Sequence, residues 1–367
     1  MEMEQTTIGL SREFIIHPGE TLEEVLADKE MSQKELAVRT GVTEKHICTV
    51  IKGSKPISVA FAKKLEYALG IDASFWINLQ SNYDREILEF EELNQISAEE
   101  IMILKPLKNI IEYFGSLNIM NSNDNEASKI LDLRKILGIS NLTAIPNITY
   151  NAAYRAQLAS NVNIDVYVLF AWQRICEMLT SRINVEGSVD IEKLKLKLSD
   201  IKKLMFSRTD QIEKELTKIF SECGIAFKIV KHCTGAPVQG FIKSSDQGRL
   251  ILCMTIRQAS ADIFWFSLFH EIGHILNGDI KQKFIDFDSV KGDLEEKADT
   301  FASDVLLDFN DYKRFVKEQD FSLKAIQKFA NEQNVKSYIV IGRLQNDHLL
   351  EWNQFSGEKI LYKWAFE

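Results

Sequence analysis

The sequence predicts a mainly α-helical protein that carries one small β-sheet in its C-terminal half. Only five prolines and 17 glycines interrupt the 367 residues, and long stretches repeat apolar residues at helical spacing. Residues 18–84 divide at turn signals into a series of short helices. Beyond residue 224 the pattern changes to short β-branched or alternating runs, which predict strands. A chain of this length is expected to form two or three domains.

The composition is that of an ordinary folded protein with an acidic balance. Hydrophobic residues make up 45% and charged residues 26%, and the net charge is -9. Such a charge argues against a chain that coats nucleic acid or a membrane through bulk electrostatics. A small basic surface within one domain remains compatible with it.

Cysteine usage and the absence of apolar runs indicate the compartment. The five cysteines are scattered, odd in number and lack a C-x-x-C pair, which is typical of free thiols in a reducing environment. The acidic start, "MEMEQTTIGLSREF", shows no secretory signal, and no apolar run reaches the roughly 18 residues of a membrane span. We therefore expect a soluble cytoplasmic protein with no membrane partner.

Three segments follow from the pattern of elements. Residues 14–84 are predicted to form the first domain, and residues 85–148 a helical connecting segment that contains the polar loop "NSNDNEAS". Residues 149–367 are predicted to form the second domain. Its strands are "GIAFKIVKH", "VQGFIKS" and "RLILCMTIR", and a long helix follows them directly.

The first domain has the start and stop signals of a helix-turn-helix. Ser32 followed by Glu35 is a capping box, and Gly41 is suited to the left-handed backbone that ends a helix. Thr43 caps the next helix, and Gly53 follows its end. Two short helices joined by a glycine-containing turn and braced by flanking helices form this motif.

The second helix of the motif is the candidate DNA-recognition helix. Residues 31–64 contain seven basic and two acidic side chains, a local charge of +5 that suits contact with phosphates. The alternative is a helical bundle with ordinary solvated lysines. The candidate DNA-binding residues are Thr43, Glu44, Lys45, His46, Thr49 and Lys52.

The same region resembles a known family. "HPGETLEEVLADKEMSQKELAVRTGVTEKHICTVIKGSKPIS" is similar to the Cro/repressor-type helix-turn-helix family and to its HigA-type antitoxin branch, over about residues 14–84. The resemblance implies binding to a palindromic operator DNA as a homodimer.

A candidate metal site lies in "FWFSLFHEIGHILNG", residues 264–278. On a helix, His270 and His274 lie on one face and can bind the same ion, and Glu271 projects from the adjacent face. In this H-E-x-x-H arrangement two neutral imidazoles bind Zn²⁺ and the glutamate acts as general base. Gly273 is poor for helix stability, which predicts that another element approaches the helix there.

The third ligand is expected from the next helix, "DLEEKADTFASDVLL" at residues 293–307. Its alanines would let it lie close to the first helix and bring Glu295 to the metal. Asp299, one turn on, is suited to accept a ring N–H from a metal-binding histidine. Glu296 is the rival ligand, but it points about 100° away.

The alternatives at this site are a buried helix with merely hydrogen-bonded histidines and a structural zinc site. Three protein ligands leave one position open, whereas structural zinc sites are normally closed by four, so the pattern favours catalysis. Zn²⁺ is the expected cofactor, with Mn²⁺ as the alternative metal. His232 and His348 are expected to be surface or supporting residues, and Cys233 and Cys253 buried apolar ones.

The second domain also resembles a known family. "RQASADIFWFSLFHEIGHILNGD" and "EEKADTFASDVLL" are similar to the ImmA/IrrE metallopeptidases, together with "AYRAQ", "TGAPVQGFI" and "IVIGRLQND". The resemblance implies a zincin-like α+β fold, zinc ligands at His270, His274 and Glu295, and a base at Glu271. It also implies limited cleavage of a repressor. "SDVLLDFN" lacks the proline that commonly follows the leucines in that family, a departure expected to affect only the helix end.

Together these features predict a DNA-binding regulator fused to a zinc-dependent endopeptidase that cleaves a repressor or partner protein. The rival function is a non-catalytic, antitoxin-like repressor whose metal domain senses a ligand or partner. The strand "RLILCMTIR" is expected to offer its edge to an extended peptide substrate. Self-cleavage in the loop at residues 121–128 is a less favoured form of the same hypothesis.

Overall fold

The computed structural model describes residues 15–148, 164–244, 249–278, 284–287 and 293–364. The chain divides into two compact units, of which the first is Met1–Ile101 with Asn125–Leu131 and the second is Met102–Asp124 with Asp132–Glu367. The domain boundaries at residues 84 and 148 remain sequence-based predictions.

The first unit contains a bundle of five helices. The turn signals of the sequence lie where the structure needs them, since Ser32, Thr43 and Ser58 each accept a backbone N–H at a helix start. Gly41 and Gly70 follow helix ends with φ of 62° and 73°, the left-handed values that glycine adopts without strain. The helices are α1 (Pro18–Asp28), α2 (Gln33–Thr40), α3 (Glu44–Ile51), α4 (Val59–Leu69) and α5 (Ala73–Asn94).

The bundle surrounds an apolar core in which Leu36, Ile47, Leu65 and Trp76 are fully buried. Helices α2 and α3 are joined by a short turn at Gly41, as a helix-turn-helix requires. The predicted helix-turn-helix bundle is therefore confirmed.

The remaining helices lie before and after the first three strands of the sheet in the chain. Those before these strands are α6 (Ala98–Ile103), α7 (Lys108–Ser116), α8 (Glu126–Leu137), α9 (Val166–Ser181), α10 (Ile191–Lys203) and α11 (Thr209–Glu222). Those that follow the strand Leu250–Met254 in the chain are α12 (Ala261–Asn277), α13 (Asp293–Leu306), α14 (Phe309–Glu318), α15 (Leu323–Glu332) and α16 (Ser337–Asn346). Short 3₁₀ helices span Leu142–Asn147, Leu204–Phe206 and Ser356–Glu358.

The sheet has four strands in the order β1-β3-β2-β4. Strands β1 and β3 are parallel, and β2 is antiparallel to both β3 and β4. The three predicted strands are confirmed, whereas β4 was not predicted. The strands are β1 (Ile225–Ile229), β2 (Val238–Ser244), β3 (Leu250–Met254) and β4 (Phe284–Phe287).

The expectation that "RLILCMTIR" offers an edge to a peptide is wrong. Strand β3 lies between β1 and β2, so its backbone groups are used on both sides. All five of its residues are buried, which explains why its sequence is continuously apolar rather than alternating.

The core of the second unit lies between this sheet and α12. Trp265, Leu268, Phe269 and Ile272 on α12 are buried in it. The predicted fold class, mainly helical with a small sheet, is confirmed. Among the described residues, no helix is both long and apolar enough to cross a membrane.

Candidate metal centre and nucleic-acid interface

The three predicted metal ligands converge on one point. His270 and His274 lie one turn apart on α12, and Glu295 comes from the first turn of α13. The Nε2 atoms of the two histidines are 3.0 Å apart. Oε2 of Glu295 lies 3.1 Å from Nε2 of His270 and 3.4 Å from Nε2 of His274.

This triangle fits a tetrahedral zinc ion. Ligand atoms about 2.0–2.2 Å from zinc at tetrahedral angles lie roughly 3.3–3.6 Å from one another. The three observed separations of 3.0, 3.1 and 3.4 Å lie at or just below this range. Two imidazoles and a carboxylate are also the donor types that zinc prefers. The residues present therefore fit the metal that the sequence predicts.

Neighbouring groups hold two of these side chains in the state that metal binding needs. The Nδ1–H of His270 donates to Oδ1 of Asp299 at 2.8 Å, which leaves Nε2 as the atom that faces the metal position. Burial raises the pKa of Glu295, but the closeness of its carboxylate to the imidazoles of His270 and His274 outweighs this and lowers the pKa to about 2. The carboxylate is therefore ionised and suited to binding a cation.

Glycine and alanine allow the two helices to approach each other. A Cβ added at Gly273 would lie 3.1 Å from Phe301 Cδ1 and 3.2 Å from the Cα of Ala298. Ala298 and Ala302 are completely buried along the same side of α13. The prediction of a close approach at Gly273 is confirmed, and it explains why a residue unfavourable to helices occurs there.

Glu271 lies against the sheet. A Cβ added at Gly240, in the middle of β2, would lie 1.8 Å from Oε1 of Glu271 and 2.3 Å from its Cδ. The side chain of Glu271 is thus held over the one position of β2 that has no side chain. Gly240 is a positioning residue that the sequence analysis missed, although an isolated glycine within a strand pattern signals a close approach.

The three proposed metal ligands and Glu271 are shielded from solvent. The exposed fractions are 0% for Glu271, 1% for His274, 6% for His270 and 8% for Glu295. Buried groups interact more strongly than exposed ones because the local dielectric is low. The site is therefore closed around these residues in the conformation seen here.

The rival candidates are placed elsewhere. Glu296 is exposed on the outer side of α13, away from the cluster. His348 is exposed in a turn with φ of 58°, and Cys233 and Cys253 are buried among apolar residues, as expected. The segment "AYRAQ" at residues 153–157 lies outside the described residues.

Four of the six predicted DNA-binding residues at helix α3 are exposed to solvent, and the other two are half-buried. Thr43, Glu44, Lys45 and Lys52 are exposed, and neither lysine has an ion pair within the described part of the chain. His46 is half-buried, and its ring packs edge to face on Phe61 with centroids 5.0 Å apart.

Thr49 is also half-buried on α3, and its hydroxyl donates to the carbonyl of His46 at 2.8 Å. The exposed lysines are therefore the side chains best placed for phosphate contact.

The "HPGE" segment fixes the position of α3. A Cβ added at Gly19 would lie 2.1 Å from the carbonyl oxygen of Val50, so only glycine allows α1 to pack this close. The ring Nδ1 of His17 accepts the Gly19 N–H at 2.9 Å and caps α1. The same ring lies 3.4 Å from the Cβ position of Gly53, at the end of α3. In the sequence, "HPGE" forms part of the resemblance to HigA-type antitoxins without an assigned role. In the structure, His17 and Gly19 position α3.

Several solved structures match a short part of this chain, at the N-terminal end. The N-terminal region of this chain resembles HigA-type antitoxins. An addiction module antidote protein of the HigA family from Coxiella burnetii is 28% identical and has a TM-score of 0.20, with 22% of this chain and 95% of that one covered. The Pseudomonas aeruginosa antitoxin HigA, solved with the higBA promoter, is 32% identical with a TM-score of 0.22, covering 23% of this chain and 92% of that one.

A further solved structure from Pseudomonas aeruginosa, a complex of a protein with its operator DNA, is also 32% identical, with a TM-score of 0.22 and coverage of 23% of this chain and 91% of that one. No family model matches the chain. No curated protein matches it either.

Proposed function

We propose that this chain is a DNA-binding transcriptional regulator whose second unit is a zinc-dependent endopeptidase. Its substrate in this proposal is a protein, either a repressor or another partner in a stress or toxin–antitoxin-like circuit. The observation that carries the proposal is the triangle of His270, His274 and Glu295, with Glu271 on the adjacent helix face.

The regulatory half of the proposal rests on the first unit. Helix α3 follows the turn at Gly41 and exposes Lys45 and Lys52, while its apolar face is buried in the bundle. A helix held in this way can enter a major groove while lysines contact the backbone phosphates. Operator DNA is the proposed partner, and a homodimer is the proposed binding form.

The catalytic half rests on the roles that the side chains can perform. His270, His274 and Glu295 would hold the ion, and Asp299 would keep His270 in the required tautomer. Zinc supplies Lewis acidity, which activates water and polarises a carbonyl. Glu271 is the proton acceptor in this scheme: it follows the metal ligand His270 directly in the chain, and its carboxylate lies over the gap at Gly240.

One observation favours a second candidate function. Glu271 is completely buried and His274 nearly so, so a substrate would reach them only after a conformational opening. A protein that stayed closed would hold its metal without cutting, as an antitoxin-like repressor that senses a ligand or partner. Both functions predict metal binding, so metal content does not separate them.

Glu271→Gln separates them. Gln is nearly isosteric, keeps the metal ligands and cannot accept a proton. We expect the metal-loaded wild-type protein to cleave a repressor encoded beside its own gene, and Glu271→Gln to bind the same metal without cleaving. Intact-mass spectrometry of both proteins and of the candidate substrate gives the answer. If neither protein cleaves any neighbouring repressor, the endopeptidase function is refuted and the sensing function is the one left to test.

DNA binding is tested on the full chain by fluorescence anisotropy. The expected result is a selected duplex bound with an affinity that falls steeply as salt rises, since neutralised phosphates release counterions. His274→Ala is the control for the second unit, and its DNA affinity in the absence of effector should match that of the wild type. An affinity independent of salt would refute phosphate contact by α3.

A further inference from the structure

A cavity of 520 Å³ lies within the second unit, next to the candidate metal centre. Residues of α12, α13, α14 and α16 line it, together with Trp352. Asp299 is part of its wall, whereas His270, Glu271, His274 and Glu295 are not. The cavity therefore touches the metal centre only through the carboxylate that holds His270.

The lining suits a flat apolar molecule. Phe266, Leu307 and Ile339 form apolar walls, and Phe309 and Trp352 stand at the cavity with 60% and 61% of their surfaces exposed. Cavities of about 300–1,000 Å³ lined by apolar and aromatic residues, with a few polar groups, are typical small-molecule sites. The exposure of two large aromatic rings is otherwise costly, which favours a ligand that covers them.

Two charged residues of the lining are already neutralised by partners. Asp262 pairs with Lys359, whose Nζ is 3.0 Å from Oδ2. Arg343 pairs with Asp347 at 2.9 Å, so its guanidinium is not available to balance a ligand anion without losing that contact.

The remaining charges favour a cation. Asp299 and Asp304 both line the cavity, and Asp304 has no ion pair within the described part of the chain. The side chain of Asp299 is 56% exposed although it bonds His270. Against these two carboxylates stands Lys313, which lies over the ring of Phe309 at 5.7 Å from its centroid. Lys359 lies over the ring of Trp352 at 5.4 Å, but it is already paired with Asp262. The balance of the cavity is therefore negative.

We propose that this cavity binds a small organic cation with a flat apolar body, and that the bound cation acts on the metal centre through Asp299. A cation that attracts the carboxylate competes with the Nδ1–H of His270 for it. Loss of such a supporting hydrogen bond typically weakens metal binding. The coupling rests on the proposed metal site, whereas the binding of the cation does not.

Three indole probes test the binding, with the full-length protein titrated by calorimetry in metal-free buffer. Tryptamine is a cation at neutral pH, tryptophol is neutral and indole-3-acetate is an anion, on the same indole body. We expect tryptamine to bind about two- to fivefold more tightly than tryptophol, the effect of one partly exposed charge pair, and the acetate to bind least. Tighter binding of the acetate overturns the charge assignment, and no binding of any probe overturns the site.

Matched variants test the location. Asn346 is exposed in the cavity wall, so Asn346→Trp should fill the entrance and weaken tryptamine binding about tenfold or more. Asn331→Trp, on α15 outside the lining, is its control. Asp304→Asn should remove most of the preference for tryptamine over tryptophol, and Asp28→Asn should leave it unchanged. If Asn346→Trp binds tryptamine as the wild type does while its melting temperature is normal, the probe binds elsewhere.

The coupling is measured as zinc affinity, by competition with a chromophoric chelator. Saturating tryptamine should weaken zinc binding about fivefold or more, the usual lower end of coupling between sites, and zinc should weaken tryptamine binding by the same factor. Tryptophol is the control for occupancy without charge. Zinc affinity that is unchanged by saturating tryptamine refutes the coupling, even if the cavity binds the probe.

Discussion

Gly240→Ala should disable Glu271 without disturbing the metal ligands. The added Cβ would lie 1.8 Å from Oε1 and 2.3 Å from Cδ of Glu271, well inside contact distance. The carboxylate must then move by more than about 1 Å, a misplacement that typically costs on the order of 100-fold in rate. None of the three proposed metal ligands is among the atoms that the new methyl group would meet most closely.

The assay compares kcat/KM for cleavage of the identified repressor with zinc affinity from chelator competition. We expect a loss of about 100-fold in kcat/KM, unchanged zinc affinity, and a fall of about 1–3 kcal/mol in the free energy of unfolding from overpacking. Gly357→Ala is the matched control, because a Cβ there meets nothing within 4 Å.

Two results would refute this argument. Full activity of Gly240→Ala would mean that Glu271 is not held by this gap or does not accept the proton. A weakened zinc affinity in Gly240→Ala would mean that Gly240 acts through the metal ligands rather than through Glu271.

The other predictions concern the first unit and the metal centre. Burial lowers the pKa of His17, and the nearby Glu20 and Asp84 carboxylates offset this only in part. The unfolded chain therefore takes up a proton on His17 at higher pH than the folded chain does. As a result, the free energy of unfolding should fall as the pH drops below about 6.5. Urea unfolding should show this slope in the wild type but not in His17→Asn, which keeps the helix cap. Asp299→Asn should weaken zinc binding about 10- to 100-fold, as judged by chelator competition, and a wild-type affinity would refute the role given to that carboxylate. Lys45→Ala should reduce the slope of log affinity for DNA against log salt by about 1 in anisotropy titrations, and an unchanged slope would exclude phosphate contact by Lys45.

Local signals predicted the first unit well because its helix ends are fixed by single residues. A helix begins after each of Ser32, Thr43 and Ser58 because the side-chain hydroxyl accepts a backbone N–H there. Gly41 ends a helix because glycine adopts its positive φ without strain. The partial burial of His46 was not predictable in this way. It depends on where Phe61 of another helix lies, which spacing along α3 does not reveal.

In the second unit, the convergence of the metal-site side chains could be predicted from the sequence, whereas the order of the strands could not. The spacing of His270 and His274 is a property of one helix, and Ala298 and Gly273 signal the neighbouring one. Strand order depends on which apolar runs pair across the sheet, so the interior position of β3 and the presence of β4 could not be derived from runs alone. The 520 Å³ cavity likewise forms from four separate helices and has no local signature.

We propose that His270, His274 and Glu295 together bind one zinc ion. Zinc X-ray absorption on stoichiometrically loaded protein tests it most directly. We expect one zinc per chain, with two imidazole ligands and carboxylate oxygen at about 2.0–2.2 Å. In Glu295→Ala we expect loss of the carboxylate signal and weaker zinc binding. A spectrum containing sulfur ligands, or one unchanged in Glu295→Ala, would contradict it.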